Sequence, residues 1–175
     1  CVNVFPLNDE AVVTTETTLP ILFNTESLEP LRHLELKEKL KGPVTSPHPV
    51  KDYRTGRLYN YAVEYGMNSY YHVYYFEKGK ETPDILCSIE VDRPAYMHSF
   101  GMSERYLILT EFPKRVNPLD MQIGGKPFIE NYRWQPEKGT RFQIIDKEKG
   151  EVVRTVETEA FFSFHHVNDL EKDGT

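Results

Sequence analysis

The sequence predicts an all-β protein, and three observations carry that prediction. Aromatic residues fill 13% of the 175 positions, with eleven Tyr and ten Phe against one Trp, and aromatic and β-branched side chains suit the pleated, half-buried surface of a sheet. Short runs of such residues recur between Gly, Pro, Asn and Asp clusters, which is the punctuation of strands and hairpins. No stretch reads as a convincing helix, and about a dozen short strands account for the chain.

The elements follow in order. Val2 to Phe5, Ala11 to Thr15 and Ile21 to Phe23 are short β-branched or aromatic runs separated by Pro6, Asn8-Asp9 and Pro20. Asn24 to Ser27 is a polar turn, and Leu28 to Leu36 reads as a further strand whose apolar positions fit neither the strand nor the helix period cleanly. Lys37 to Lys51 reads as a loop, because it holds Gly42, Pro43, Pro47 and Pro49, with His48 between the last two prolines. Leu58 to Tyr65, Tyr70 to Phe76 and Ile85 to Val91 are consecutive antiparallel strands, broken at Gly66-Met67-Asn68 and Lys78-Gly79-Lys80. Ala95 to Phe100 and Tyr106 to Phe112 form another pair. Pro113 to Pro136 is a long loop, of a length that usually covers or lines something. Phe142 to Asp146, Val152 to Thr158 and Ala160 to Val167 complete the strands.

The length fits one domain with its own core. Because the chain begins at Cys1 without Met and ends on Asp173-Gly174-Thr175, which reads as a hairpin turn lacking its second strand, residues 1–175 are expected to form a single incomplete domain. A net charge of −6 with scattered Lys and Arg gives no basic footprint, so nucleic acid is excluded as a partner class. No run of eighteen apolar residues and no signal-peptide pattern occurs in this piece. Cys1 and Cys87 are too few for a disulfide framework and suit a reducing compartment, with cytoplasm the default.

Two hairpins echo each other: Asp52-Tyr53-Arg54-Thr55-Gly56 and Asp146-Lys147-Glu148-Lys149-Gly150 both run acid, three residues, glycine. Recurring hairpins suggest the radially repeated sheets of a β-propeller, with a sandwich still open.

Chemistry points to the histidines. His98 lies in Tyr96-Met97-His98-Ser99-Phe100-Gly101, and His48 and His165 have comparable surroundings. One histidine on an apolar strand is usually a core residue; three that read alike make a metal-site hypothesis, since imidazole is a common neutral ligand for iron, copper and zinc. Their wide separation fits no zinc finger or helical His-Glu motif, and suits a site assembled from separate blades. His33, in a charged stretch, and His72, alternating with tyrosines, read as surface or sheet-face residues.

These segments resemble the carotenoid cleavage oxygenase family, which includes carotenoid and apocarotenoid oxygenases and a retinal isomerohydrolase. The motifs are Thr45-Ser46-Pro47-His48-Pro49 with Asp52 and Thr55-Gly56, then Pro94-Ala95-Tyr96-Met97-His98-Ser99-Phe100-Gly101-Met102, then Phe164-His165-His166-Val167-Asn168, with Thr15-Glu16-Thr17 upstream. The resemblance implies a seven-bladed β-propeller with Fe(II) on its axis, held by four histidines and backed by three outer glutamates. His48, His98 and His165 match ligand positions, and Glu16 matches an outer glutamate, expected to serve His98. The fourth histidine and two glutamates should lie beyond Thr175, so the piece alone is expected to be inactive. Adjacent strand residues face opposite sides, and the family pattern places the ligand at His165. That leaves His166 facing the sheet, with Phe162 and Phe164 on its side as core. Pro47 and Asp169-Leu170-Glu171 depart from the family pattern.

The activity implied is non-haem iron dioxygenase cleavage of a polyene double bond in a carotenoid or apocarotenoid, with O2 as co-substrate. Alternatives are a retinyl ester isomerohydrolase and a non-catalytic propeller that binds an apolar ligand; a zinc hydrolase lacks a nearby acid placed as general base. Tyr96, Phe100, Phe112 and Trp134, with Phe128 and Tyr132, are candidates to line a substrate tunnel. The Pro113 to Pro136 loop, through Leu119, Met121, Ile123 and Phe128, is a candidate for peripheral contact with membranes.

Overall fold

The computed structural model describes residues 2–8, 10–36, 40–123 and 125–172. They divide into two compact units, residues 1–64 with 72–88 and residues 65–71 with 89–175. Strands dominate, as predicted, and no helix among the described residues is long and apolar enough to cross a membrane.

In the first unit, β1 (Asn3–Leu7), β2 (Glu10–Thr14), β3 (Ile21–Phe23) and β4 (Pro30–His33) form an antiparallel sheet in chain order. Val12 pairs with Phe5 on one side and Leu22 on the other, and Leu7, Val12 and Leu22 are buried with Leu34, Leu36, Leu40, Leu58, Ala62, Tyr74 and Phe76. The strand expected over 28–36 is shorter. Asn24 folds the chain back by accepting the Glu26 and Ser27 amides on its side chain and the Leu28 amide on its carbonyl, so pairing starts only at Pro30.

A second sheet has the order β5, β7, β8, β9, with β6 also on β7: β5 is Val44–Thr45, β6 Val50–Lys51, β7 Leu58–Glu64, β8 Ser69–Phe76 and β9 Asp84–Val91. The predicted loop over 37–51 thus contains two short strands flanking His48. Val44 pairs with Val63 and Val50 with Tyr59. Two-residue strands are too brief to show a period, which is why composition alone reads the stretch as loop. Residues 37–39 lie outside the described residues.

In the second unit, β10 (Gly101–Met102), β11 (Tyr106–Glu111), β14 (Thr140–Asp146) and β15 (Glu151–Thr158) form a four-stranded antiparallel sheet in that order. Between β11 and β14 lie β12 (Lys114–Arg115) paired with β13 (Arg133–Trp134), helix α1 (Pro118–Ile123) and two 3-10 turns, Phe128–Asn131 and Pro136–Lys138. The long loop expected there is therefore an ordered excursion. Pro118 opens α1, its fixed φ suited to a first helical turn, and Asn117 Oδ1 accepts the Leu119 amide at 3.3 Å. Six residues cannot display a 3.6-residue period, so the sequence pattern misses the helix.

The second unit also buries a polar network. The Glu111 carboxylate, 1% exposed, accepts from Arg115 Nη1 at 3.0 Å and Gln143 Nε2 at 2.7 Å, and Gln143 Oε1 accepts from Thr155 at 2.9 Å.

The two echoed hairpins adopt one turn. Asp52 Oδ1 accepts the amides of Arg54 and Thr55, and Asp146 Oδ1 those of Glu148 and Lys149. Gly56 and Gly150 donate back to the Asp carbonyls at 2.7 and 2.9 Å with φ of 79° and 66°. The aspartate side chain satisfies the turn's amides and the glycine supplies the left-handed step that closes it.

Two predicted strands are not formed. Over 95–100 only Ala95 bridges to Arg115, and after 158 the chain to 172 joins no sheet. In both, side-chain hydroxyls satisfy backbone groups that a ladder would otherwise pair. Phe164, expected in the core, is 53% exposed because the strict alternation that assigned it holds only in a strand. The Asp173-Gly174-Thr175 turn lies outside the described residues.

Candidate metal centre

His48 belongs to the first unit. Its loop is fixed by bonds to three strands: Asn60 Nδ2 donates to the Ser46 carbonyl at 2.9 Å, and Thr14 Oγ1 and Asn3 Nδ2 donate to the Pro47 carbonyl at 2.9 and 3.0 Å. Ser46 Oγ accepts the His48 amide at 3.0 Å. With prolines on either side, the half-buried imidazole of His48 sits on a stiff backbone. Glu16 is half-buried in the same unit, its carbonyl accepting the Thr45 amide at 3.2 Å.

His98 and His165 belong to the second unit, where their rings meet with centroids 5.2 Å apart and planes at 75°. The backbone before His98 is held by the Ala95 amide donating to Tyr71 Oη at 2.7 Å and the Tyr96 amide donating to the Lys114 carbonyl at 2.8 Å. Phe164 packs edge-on to His98 at 5.6 Å and to Phe162 at 4.9 Å, and Tyr96 stacks on Phe162 at 6.1 Å. The histidine pair is thus bordered by aromatic rings. His98 is half-buried and His165 exposed.

His48 in the first unit, and His98 and His165 in the second, each offer one ring nitrogen of the kind that ligates a metal. For His98 and His165 the geometry fits as well. Two imidazoles bound side by side to one ion, with metal–nitrogen distances of about 2.1 Å, have ring centres about 5 Å apart, and these stand at 5.2 Å. An all-imidazole donor set suits iron, copper, nickel or zinc rather than a hard ion such as calcium.

Of the tunnel candidates, Tyr96 and Phe100 are buried, and Phe112 is fully buried against Phe161 and Phe162. Tyr132 bonds Tyr65 through their hydroxyls at 2.6 Å and packs on Phe128. Trp134 is half-exposed on β13. His33 is exposed, as expected. His72 lies in a sheet but is buried, with Nδ1 2.8 Å from Ser88 Oγ and Nε2 2.8 Å from Glu64.

Sequence reasoning missed the groups that fix the His165 segment. Asp169 Oδ2 accepts the Met102 amide at 3.0 Å, and Glu171 Oε1 accepts the Arg105 amide at 2.6 Å and the Ser103 hydroxyl. His166 bonds Ser99 and Thr110. Burial holds His166 below the ordinary histidine value; Asp169 opposes this and His165 adds to it. The available signal was a buried threonine closing the apolar run Leu107-Ile108-Leu109 and acids placed just after a histidine pair.

Antiparallel sheets of this kind place the chain in the class of β-propellers. The family model described as RPE65, retinal pigment epithelial membrane protein, matches residues 1–175, and the chain belongs to this family, the carotenoid oxygenases. It is 30% identical over 190 residues to a mitochondrial carotenoid-cleaving dioxygenase of Mustela putorius furo, covering 99% of this chain and 35% of the relative. To a carotenoid isomerooxygenase of Galleria mellonella it is 27% identical, covering 99% of this chain and 36% of that one. Cobalt-substituted apocarotenoid oxygenase of Synechocystis superposes with a TM-score of 0.77 at 19% identity, over 98% of this chain and 37% of that structure. The fold is accordingly part of a seven-bladed β-propeller, and the chain spans about a third of the length of these relatives.

Proposed function

We propose that His48, His98 and His165 are three of the ligands of an Fe(II) centre in a dioxygenase that cleaves a polyene double bond of a carotenoid or apocarotenoid with O2. The observation that carries the reading is the His98–His165 ring pair at 5.2 Å, in a chain of a family whose relatives are named carotenoid-cleaving dioxygenases. Bound Fe(II) would supply the electron that activates O2.

The rest is the work of the chain's own residues. Neutral imidazoles leave the ion its full positive charge. Glu16 would serve as an outer carboxylate, of the kind that fixes the tautomer and orientation of a ligand histidine. Phe164, Phe162 and Tyr96 give the site an apolar border that receives a hydrocarbon chain, and Tyr96, Phe100 and Trp134 extend that surface along the polyene. The exposed Leu119 supplies peripheral contact with the membranes from which such a substrate is drawn.

The test is oxygen uptake by the full-length, iron-loaded protein with β-carotene and with an apocarotenal, read together with the carbonyl products. Stoichiometric O2 consumption with two carbonyl fragments supports the reading. Conversion of a retinyl ester to retinol without O2 uptake, or no turnover of any polyene, overturns it.

A further inference from the structure

His98 and His165 are each followed by a residue that bonds the other's neighbour. Ser99 Oγ lies 3.0 Å from His166 Nδ1, accepts the His166 amide at 3.1 Å and donates to the Phe164 carbonyl at 2.9 Å. His166 Nε2 lies 2.7 Å from Thr110 Oγ1 on β11. Donors and acceptors settle the proton positions. A serine hydroxyl has one proton and two lone pairs. The proton goes to the Phe164 carbonyl, so the lone pairs take the His166 amide and Nδ1–H. In the neutral ring, which burial favours, His166 Nε2 is then an acceptor, and the Thr110 hydroxyl donates to it. Every group in the cluster has its partner, and of the two neutral tautomers of His166 only Nδ1–H satisfies all of them.

The segment carrying His165 makes no strand, so this cluster does the work a ladder does elsewhere. It ties backbone on both sides of His165, at Phe164 and His166, to the side chain next to His98, and it anchors that tie on β11. We propose that Ser99, His166 and Thr110 are positioning residues for the metal centre: they set the separation and tilt of the His98 and His165 imidazoles. The inference rests on the reading of these two histidines as ligands. None of the three touches the ion or the substrate; their effect passes through the backbone.

The test uses the full-length protein loaded with Co(II), whose visible spectrum reports ligand geometry, and titrated for metal affinity, with Ser99→Ala and Thr110→Val as variants and Thr110→Ser as the conservative control. Thr110→Val keeps shape and removes only the donor to Nε2, which guards against simple misfolding. Removing partners that orient a metal-binding histidine typically weakens metal affinity about ten- to a hundredfold. That loss, with a changed Co(II) spectrum in Ser99→Ala and Thr110→Val and recovery of both readouts in Thr110→Ser, is the expected result. Unchanged affinity and spectrum overturn the proposal, even if thermal stability falls. His98→Ala and His165→Ala keep the two claims apart: if these leave affinity unchanged, the ligand reading itself fails; if they abolish binding while the positioning variants do nothing, only this inference fails.

Discussion

Gly101 is required by space, and Gly101→Ala measures how tightly the segment bearing His165 is docked. A Cβ built on Gly101 falls 2.3 Å from Asp169 Oδ2 and 2.7 Å from its Cγ and Oδ1, while Gly101 is absent from the glycines of positive φ. The objection to a side chain is therefore steric. To reach ordinary contact the carboxylate must retreat by about 1 Å, which breaks its bond to the Met102 amide at 3.0 Å. A hydrogen bond to a charged group contributes about 1.5–3 kcal/mol, and the intrinsic gain of Gly→Ala at a compatible φ returns about 0.4–1 kcal/mol. Gly101→Ala should thus lower local stability by about 1–2 kcal/mol, read as faster amide hydrogen exchange at Met102 and Arg105. Asp169→Ala removes both the bond and the obstacle, so adding Gly101→Ala to it should leave only the gain of about 0.4–1 kcal/mol, a coupling of about 1.5–3 kcal/mol. Additive costs would refute the reasoning and show that Gly101 serves some other constraint.

Glu111→Gln leaves the Arg115 guanidinium, 6% exposed, without its charge partner. Breaking a buried pair from one side costs about 3–5 kcal/mol, so thermal unfolding should drop sharply, whereas the double change Glu111→Leu with Arg115→Met should recover much of it. Burial pushes the Cys87 thiol up to about 11, so peptide mapping after iodoacetamide treatment at pH 8 should show Cys87 alkylated about a hundredfold more slowly than an ordinary cysteine. The Ser103 hydroxyl, followed by the Arg105 amide, lowers the Glu171 carboxyl below its usual value against an opposing effect of burial. A lowered folded value contributes stability above the unfolded value and loses it as pH falls through the folded one. The protection factor for exchange at Arg105 should therefore fall as pH drops through the lowered Glu171 value, and Glu171→Gln should remove that pH dependence.

The legible part of the fold was the part with long runs. β7, β8, β9, β11, β14 and β15 carry six to eight residues of apolar, aromatic or β-branched character, enough for pattern and composition to agree. The Asp52 and Asp146 turns were legible because an aspartate capping two amides and a glycine of positive φ are local chemistry. What escaped was set by distant partners. Ala95 to Phe100 and Ala160 to Val167 have strand composition, yet the Ser99 hydroxyl takes the backbone bonds at Phe164 and His166, and no local pattern announces a partner more than sixty residues away. The histidines were legible as candidates through their motifs. Asp169 and Glu171, which looked like departures from the family pattern, are the acids that dock the segment onto Met102, Ser103 and Arg105.

If His48, His98 and His165 hold iron, metal stoichiometry reads it out. The full-length protein, loaded anaerobically with Fe(II) and desalted, should retain a single iron, and His48→Ala, His98→Ala and His165→Ala should each lose most of it while His33→Ala keeps it. Equal iron in all four variants, or none in the parent protein, would contradict the account.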